Sequence, residues 1–169
     1  MRRTATVVLT AAVLGLASAP AWAEPTGAGG WEPAPSSPVT IPAGARCSFA
    51  VKLEPIVDGV QRRVLETYPD GSVKREEFKG TLIERVTNLD SGASEDVNAS
   101  GHAYVDHHVN GDVTWSWDGP VIMGFAPGHS NHAPGLFRLT GEFVVDFVSG
   151  DRIVRRADGS ERNLCTELS

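Results

Sequence analysis

The chain has 169 residues, of which 41% are hydrophobic, 21% charged and 7% aromatic. This length corresponds to about one domain, and the composition excludes a disordered acidic tail, a collagen-like repeat and a multi-span membrane protein. The 15 basic and 21 acidic residues give a net charge of −6, which disfavours sequence-independent binding to nucleic acid.

The first 23 residues have the pattern of an export signal. Two arginines at positions 2 and 3 precede a short apolar run, and Ala21-Trp22-Ala23 is a small-x-small cleavage signature. The run is shorter than the roughly 20 residues that a membrane-spanning helix needs. We therefore expect residues 1–23 to be removed and the mature protein to be secreted, with no membrane insertion after cleavage.

Residues 24–42 are rich in Pro, Gly, Ser and Ala, and such a segment buries too little apolar surface to fold. We expect a flexible leader, in which Trp31 is the residue suited to docking on the domain that follows. That domain is expected to span residues 43–169. Cys47 and Cys165 lie near its two ends, and in an exported protein such a pair usually forms a disulfide. A free catalytic thiol is the alternative.

In this domain apolar and polar residues alternate with the period of half-buried strands, and no segment has the 3.6-residue repeat of apolar residues that is typical of a helix. The turn Pro69-Asp70-Gly71 predicts a hairpin register that pairs Arg63 with Glu77. The run from Lys74 to Glu77 is then expected to be a solvated face.

Towards the end of the chain, residues 135–148 predict a long strand that Gly141 bends. One face of this strand is expected to carry Phe137, Leu139, Phe143, Val145 and Phe147. A further turn is predicted at Asp158-Gly159. Eight or nine short strands joined mainly by hairpins indicate an all-β fold. We expect a single antiparallel β-barrel of about eight strands, with a two-sheet β-sandwich as the alternative.

All five histidines lie between positions 102 and 132. Asn110-Gly111 predicts a two-residue type I′ turn, which pairs Asp106 with Trp115 and Tyr104 with Trp117. Because side chains alternate, one face of this hairpin then carries the five candidate ligand-binding residues. They are Tyr104, Asp106, His108, Trp115 and Trp117.

We expect this aromatic face to point into the barrel, where a small lumen holds side chains or one small ligand. Two alternatives stay open. The same rings and polar groups occur as ordinary core residues, and a one-residue change in turn length would exchange the two faces of the hairpin.

A weaker alternative is a metal site in which His129 and His132 join Asp106 or His108. The spacing of these residues matches no standard metal site. We therefore expect no metal ion and no other cofactor.

Several turn and framework motifs resemble those of small secreted proteins of unknown function from high-GC Gram-positive bacteria. The motifs are Ile41-Pro42-Ala43-Gly44 before Cys47, the run from Val86 to Gly92, Asn98-Ala99-Ser100-Gly101, and the terminal Cys165. More distantly, the length and hairpin order are similar to β-barrels of the allene oxide cyclase and dirigent type, which bind apolar substrates in the lumen. No catalytic motif carries over, so the resemblance implies a fold and not an activity.

Three functions fit these observations. The first is a non-catalytic binding module for a small apolar or aromatic ligand or a component of the cell exterior. The second is a barrel cyclase or isomerase, in which Asp106 or His108 moves a proton. The third is a structural envelope protein without a pocket. Binding ranks first because no residue set of a known reaction is present, and it requires the tryptophans of the hairpin to line an open cavity.

Overall fold

The computed structural model describes residues 29–169, so the predicted export signal and the first residues of the predicted leader lie outside the described residues. Residues 29–169 form strands and one short helix. In chain order these elements are β1 (Glu32–Pro33), β2 (Val39–Ile41), β3 (Val51–Asp58), β4 (Gln61–Thr67), β5 (Val73–Lys79), β6 (Leu82–Asn88), β7 (Ser94–Asn98), β8 (His102–His107), β9 (Val113–Asp118), β10 (Val121–Phe125), β11 (Gly135–Val148), β12 (Asp151–Asn163) and α1 (Leu164–Glu167). Within this range, no helix has the length and apolar character that crossing a membrane requires.

The strands form two antiparallel sheets. The large sheet has eight strands, in the order β1-β4-β5-β8-β9-β11-β10 with β12 paired to β11. The small sheet has four strands, in the order β2-β3-β6-β7. An all-β antiparallel architecture is thus confirmed. Within residues 29–169, no hydrogen-bonded ladder joins a strand of one sheet to a strand of the other, and closure into one barrel stays a prediction.

Part of the predicted leader is paired to the domain. Strand β1 pairs with β4, and strand β2 pairs with β3. Here the expectation of a flexible leader is wrong, because backbone groups find partners at two sheet edges even where few side chains are buried. The docking expected of Trp31 is observed, with the cations of Arg63 and Lys79 at 4.7 and 4.1 Å from its ring centroid.

The last strand differs from the prediction at Asp158-Gly159. These residues lie inside β12, which pairs with β11 along its length, and the turn falls at Ser149-Gly150 instead. Gly141 and Gly159 face each other across this ladder, and a Cβ at Gly141 would overlap the carbonyl oxygen of Asp158. A Cβ at Gly159 would likewise overlap the carbonyl oxygen of Thr140. Gly159 therefore permits close approach of β11 and β12 rather than a reversal of the chain.

Two hydrophobic clusters form the core. The first joins the small sheet to α1, through side chains that include Phe49, Val51, Leu53, Val86, Leu164 and Leu168. The Cys47–Cys165 disulfide lies in this cluster with a Cα–Cα distance of 5.2 Å, so the predicted pairing is confirmed. A disulfide of this kind is typical of proteins from oxidising compartments.

The second cluster covers one face of the large sheet, which we call the inner face. Its members include the five residues predicted to share a face of the long strand, so that prediction is confirmed. They pack with Ala103 and Trp117 from the neighbouring hairpin. The opposite side of the sheet is called the outer face.

Candidate functional site

The β8–β9 hairpin has a register that differs by one residue from the predicted one. Val105 pairs with Trp115, and Ala103 pairs with Trp117. The predicted partners of the two tryptophans each lie one residue further along β8. Since successive side chains alternate between faces, the five candidate ligand-binding residues are divided between the two sides of the sheet. The prediction that they share one face is therefore wrong.

The turn itself explains the shift. The Gly111 amide donates to the His108 carbonyl oxygen, and the His108 amide donates to the Asp112 carbonyl oxygen, both at 2.9 Å. Gly111 has a φ of 88°, in the left-handed region that favours glycine. The loop consequently holds three residues, a turn closed by a glycine bulge, rather than the two residues of a type I′ turn.

The two tryptophans lie on the inner face. Trp117 is 3% exposed and stacks on Phe143 with ring centroids 5.8 Å apart, and its indole nitrogen has no hydrogen-bond partner within the described residues. Trp115 is half-buried between Phe78 and Phe147, at centroid distances of 6.2 and 6.0 Å. Trp117 is therefore a core residue, while Trp115 keeps part of its ring accessible.

The other three predicted residues lie on the outer face and contact neighbouring side chains. The guanidinium of Arg75 is 5.0 Å from the ring centroid of Tyr104, and its Nη1 is 3.4 Å from Oδ1 of Asp106. Nε2 of His108 lies 2.9 Å from the hydroxyl oxygen of Thr114. The side chains of these three residues lie on the opposite face of the sheet from the two indole rings, so the structure does not assemble the predicted set on one face.

Two glutamates that were expected in a solvated face are buried. Glu76 is 7% exposed and Glu77 is 4% exposed. Strand β5 lies between β4 and β8, and these neighbours supply arginine and histidine side chains whose hydrogen bonds and charge make burial of a carboxylate tolerable. The prediction of a solvated face is wrong at these two positions because the charge run alone does not show which strands flank it.

Glu77 is held on the outer face by an arginine and a histidine. Nε of Arg63 donates to Oε2 at 2.5 Å, and Nε2 of His102 lies 2.6 Å from Oε1. The predicted pairing of Arg63 with Glu77 is confirmed. Burial by itself raises the pKa of Glu77, but the hydrogen bonds and positive charges of the two partners outweigh it, so the pKa is lowered.

Glu76 forms a carboxylate–imidazole pair on the inner face that the sequence reasoning missed. Its Oε1 lies 2.8 Å from Nε2 of His107, while Oε2 is 3.5 Å from Nη1 of Arg62 and accepts no hydrogen bond from the part of the chain that the structure describes. An acid–imidazole pair beside the tryptophans was expected from Asp106 and His108. Because the register is shifted by one residue, His107 and not His108 lies on the inner face, and its carboxylate partner is Glu76 of the neighbouring strand β5.

An apolar cavity of about 250 Å³ lies between the two sheets. Residues of β5, β6, β8, β9 and β10 form most of its wall, among them Phe78, Leu82, Ala103, Trp115, Val121 and Ile122. The accessible part of the Trp115 ring belongs to this wall. A concave, mainly apolar space with a few polar groups is the usual form of a small-molecule site.

A second cavity of about 440 Å³ adjoins the first, and Glu84 and Ile122 line both. The wall of this second cavity includes Arg46 and Arg152. Burial raises the pKa of Glu84, and the negative charge of Asp58 raises it further. No motif in the sequence indicated these polar residues, since they come from separate parts of the chain.

The two histidines of the metal alternative each contact a different carboxylate. Nδ1 of His129 is 2.8 Å from Oδ1 of Asp151, and Nε2 of His132 is 3.0 Å from Oε2 of Glu161. The His132 ring also stacks on Phe125, at a centroid distance of 4.3 Å. Within residues 29–169, no three His, Cys, Asp or Glu side chains converge as a metal site.

The chain was compared with family models, curated proteins and solved structures. None of the three comparisons found a match. The resemblance to small secreted bacterial proteins and to lumen-binding barrels therefore stays a prediction, and the site is interpreted from its own geometry.

Proposed function

We propose that this protein is a secreted, non-catalytic binding module that holds a small apolar or aromatic ligand between its two sheets. The observation that carries the proposal is the half-buried Trp115 in the wall of the apolar cavity. An indole offers a large, rigid contact surface at little entropic cost, which suits it to binding a ring or an alkyl chain. If the two sheets close into the predicted barrel, the space between them is its lumen.

The size of the cavity limits the ligand. Pockets for drug-sized molecules usually measure about 300–1,000 Å³, and the apolar cavity is about 250 Å³. We therefore expect one ring system or a short chain in this part of the site. The cyclase or isomerase alternative relied on Asp106 or His108, and both lie on the outer face, away from the cavity.

Calorimetric titration with 4-phenylbutan-1-ol, a neutral molecule with one ring and a short chain, tests this proposal. We expect saturable binding by the wild-type protein and at least a tenfold loss of affinity in Trp115→Leu. Trp31→Leu is the matched control, because Trp31 lies on the outer face against Arg63 and Lys79. Far-ultraviolet circular dichroism checks that both variants are folded.

The proposal is overturned if the wild-type protein shows saturable heat neither with this probe nor with its carboxylate analogue, 4-phenylbutyrate. It is also overturned if Trp115→Leu binds as tightly as Trp31→Leu. Selective loss in Trp115→Leu supports the inter-sheet cavity as the site.

A further inference from the structure

Two arginines from distant parts of the sequence meet at one residue of β10. Nη1 of Arg152 donates to the carbonyl oxygen of Gly124. The side chain of Arg46 lies over the same glycine, so closely that a Cβ at position 124 would be 2.8 Å from its Nε. Both arginines line the second inter-sheet cavity. Gly124 thus provides the space in which two guanidinium groups converge on one wall.

Neither of these guanidinium groups has a carboxylate within 4.0 Å among residues 29–169. Elsewhere in the domain arginines form ion pairs, for example Arg63 with Glu77 and Arg85 with Asp96. Burial and the nearby charge of Arg46 lower the pKa of Arg152. Two half-buried like charges repel each other, and an anion placed between them would relieve that repulsion.

The remainder of the second cavity is mainly apolar, with Val39, Leu53 and Leu136 in its wall. Ile122 continues this apolar surface into the cavity that Trp115 lines. The two spaces together present a ring-sized apolar end and a cationic end. The Glu84 carboxyl lies at the junction, so a negative group of a ligand is favoured at the arginine end and disfavoured near Glu84.

We propose that the natural ligand is a small amphipathic anion, whose apolar body lies against Trp115 and whose carboxylate is bound by Arg46 and Arg152. This inference rests on the proposed function and adds the chemical class of the ligand. The planar guanidinium matches a carboxylate with two parallel hydrogen bonds, which makes arginine the suitable side chain for this head group.

The test compares two probes that differ only in the head group, 4-phenylbutyrate and 4-phenylbutan-1-ol. We expect the wild-type protein to bind the carboxylate at least tenfold more tightly than the alcohol. Arg46→Gln and Arg152→Gln should each reduce the affinity for 4-phenylbutyrate about tenfold, close to one charged hydrogen bond in strength. Their affinity for the alcohol should not change.

Arg138→Gln is the matched control, since Arg138 contacts the Asn98 carbonyl oxygen and does not line either cavity. Equal affinity of the wild-type protein for the two probes overturns this inference and leaves the proposed function standing. Equal loss of carboxylate binding in Arg138→Gln and Arg152→Gln also overturns it. Failure of both probes to bind overturns the proposed function and this inference with it.

Discussion

The outer face and the inter-sheet space each keep charged groups partly away from water, but they do so differently. On the outer face, Glu77 is 4% exposed and has Arg63 and His102 as partners. Between the sheets, Arg46 and Arg152 line a cavity, and neither guanidinium group has a carboxylate within 4.0 Å among residues 29–169. Glu77 is therefore paired with side chains of its own chain, whereas the two arginines donate to backbone carbonyl oxygens, of Ala45 and Gly124, and have no carboxylate partner among residues 29–169.

We infer from this difference that Glu77 has a structural role, whereas the two arginines have the ligand-binding role proposed above. A buried ion pair loses much of its stabilising effect to desolvation, but removing one partner exposes the full cost of the other. Unpaired charges at a cavity carry that cost already, and a ligand of opposite charge lowers it. Substitutions should consequently destabilise the protein at Glu77 and mainly affect ligand binding at Arg46 and Arg152.

The largest effect is expected from the disulfide, which fixes the segment that carries Arg46. Cys47 and Cys165 are 118 residues apart, so the double variant Cys47→Ala/Cys165→Ala loses a long covalent loop. We expect the free energy of unfolding to fall by about 4 kcal/mol, measured by urea denaturation. Wild-type protein treated with a thiol reductant should show the same loss, and an unchanged unfolding midpoint in both would contradict the prediction.

The next effect concerns the paired charge. Glu77→Gln leaves the Arg63 guanidinium without a carboxylate, and we expect a loss of about 2 kcal/mol in urea denaturation. Glu66→Gln is the control, because Glu66 pairs with Lys74 at 2.6 Å and both side chains are about half exposed. That exposed pair should contribute less than about 0.5 kcal/mol. Similar losses in the two variants would show that Glu77 is not a structural charge.

The pH dependence of stability should have opposite signs at two glutamates. The lowered pKa of Glu77 means that its contribution is complete above the ordinary value of 4.5 and is lost as the pH falls through the folded-state pKa. The raised pKa of Glu84 means that its contribution is complete below 4.5 and is lost as the pH rises through the folded-state pKa. Urea denaturation at a series of pH values below and above 4.5 measures the free energy of unfolding. Compared with the wild-type protein, Glu77→Gln should lose less stability as the pH falls, and Glu84→Gln should lose less stability as the pH rises.

For each variant, the slope of the free energy of unfolding against pH is compared with that of the wild-type protein in identical buffers. Changes of the same sign in both variants would contradict the assignment. Unchanged slopes would contradict it equally.

The smallest effect on stability is expected at the unpaired charge. Arg152→Gln loses the bond to the Gly124 carbonyl oxygen but also removes the repulsion from Arg46. We expect the free energy of unfolding to change by less than about 0.5 kcal/mol, as measured by urea denaturation beside Glu77→Gln. A loss as large as that of Glu77→Gln would place Arg152 among the structural charges and remove the contrast between the two regions.

Much of the fold follows from local pattern. The alternation in residues 135–148 predicts both the bounds and the buried face of β11, and the turn at Pro69-Asp70-Gly71 predicts the pairing of Arg63 with Glu77. The two cysteines predict their own disulfide. Each of these features depends on neighbouring residues or on the chemistry of one residue type.

The hairpin at Asn110-Gly111 shows where local pattern fails. The same dipeptide suits a two-residue turn and a three-residue turn with a glycine bulge, and the two differ by one residue in register. The structure has the second form, with β8 paired to β5 and β9 paired to β11, and this form puts Val105 and not Asp106 beside Trp115. A correct set of candidate residues thus requires the neighbours of the hairpin as well as its turn.

The apolar alternation, the turn residues and the two cysteines are enough to predict antiparallel strands, a disulfide and an aromatic core, because strand period and turn chemistry act over a few residues. The access of Trp115 to a cavity and the convergence of Arg46 and Arg152 on Gly124 could not be predicted in this way. These residues come from four separate segments, and no spacing rule along the chain links them, since the sheets bring them together only through long-range pairing and packing.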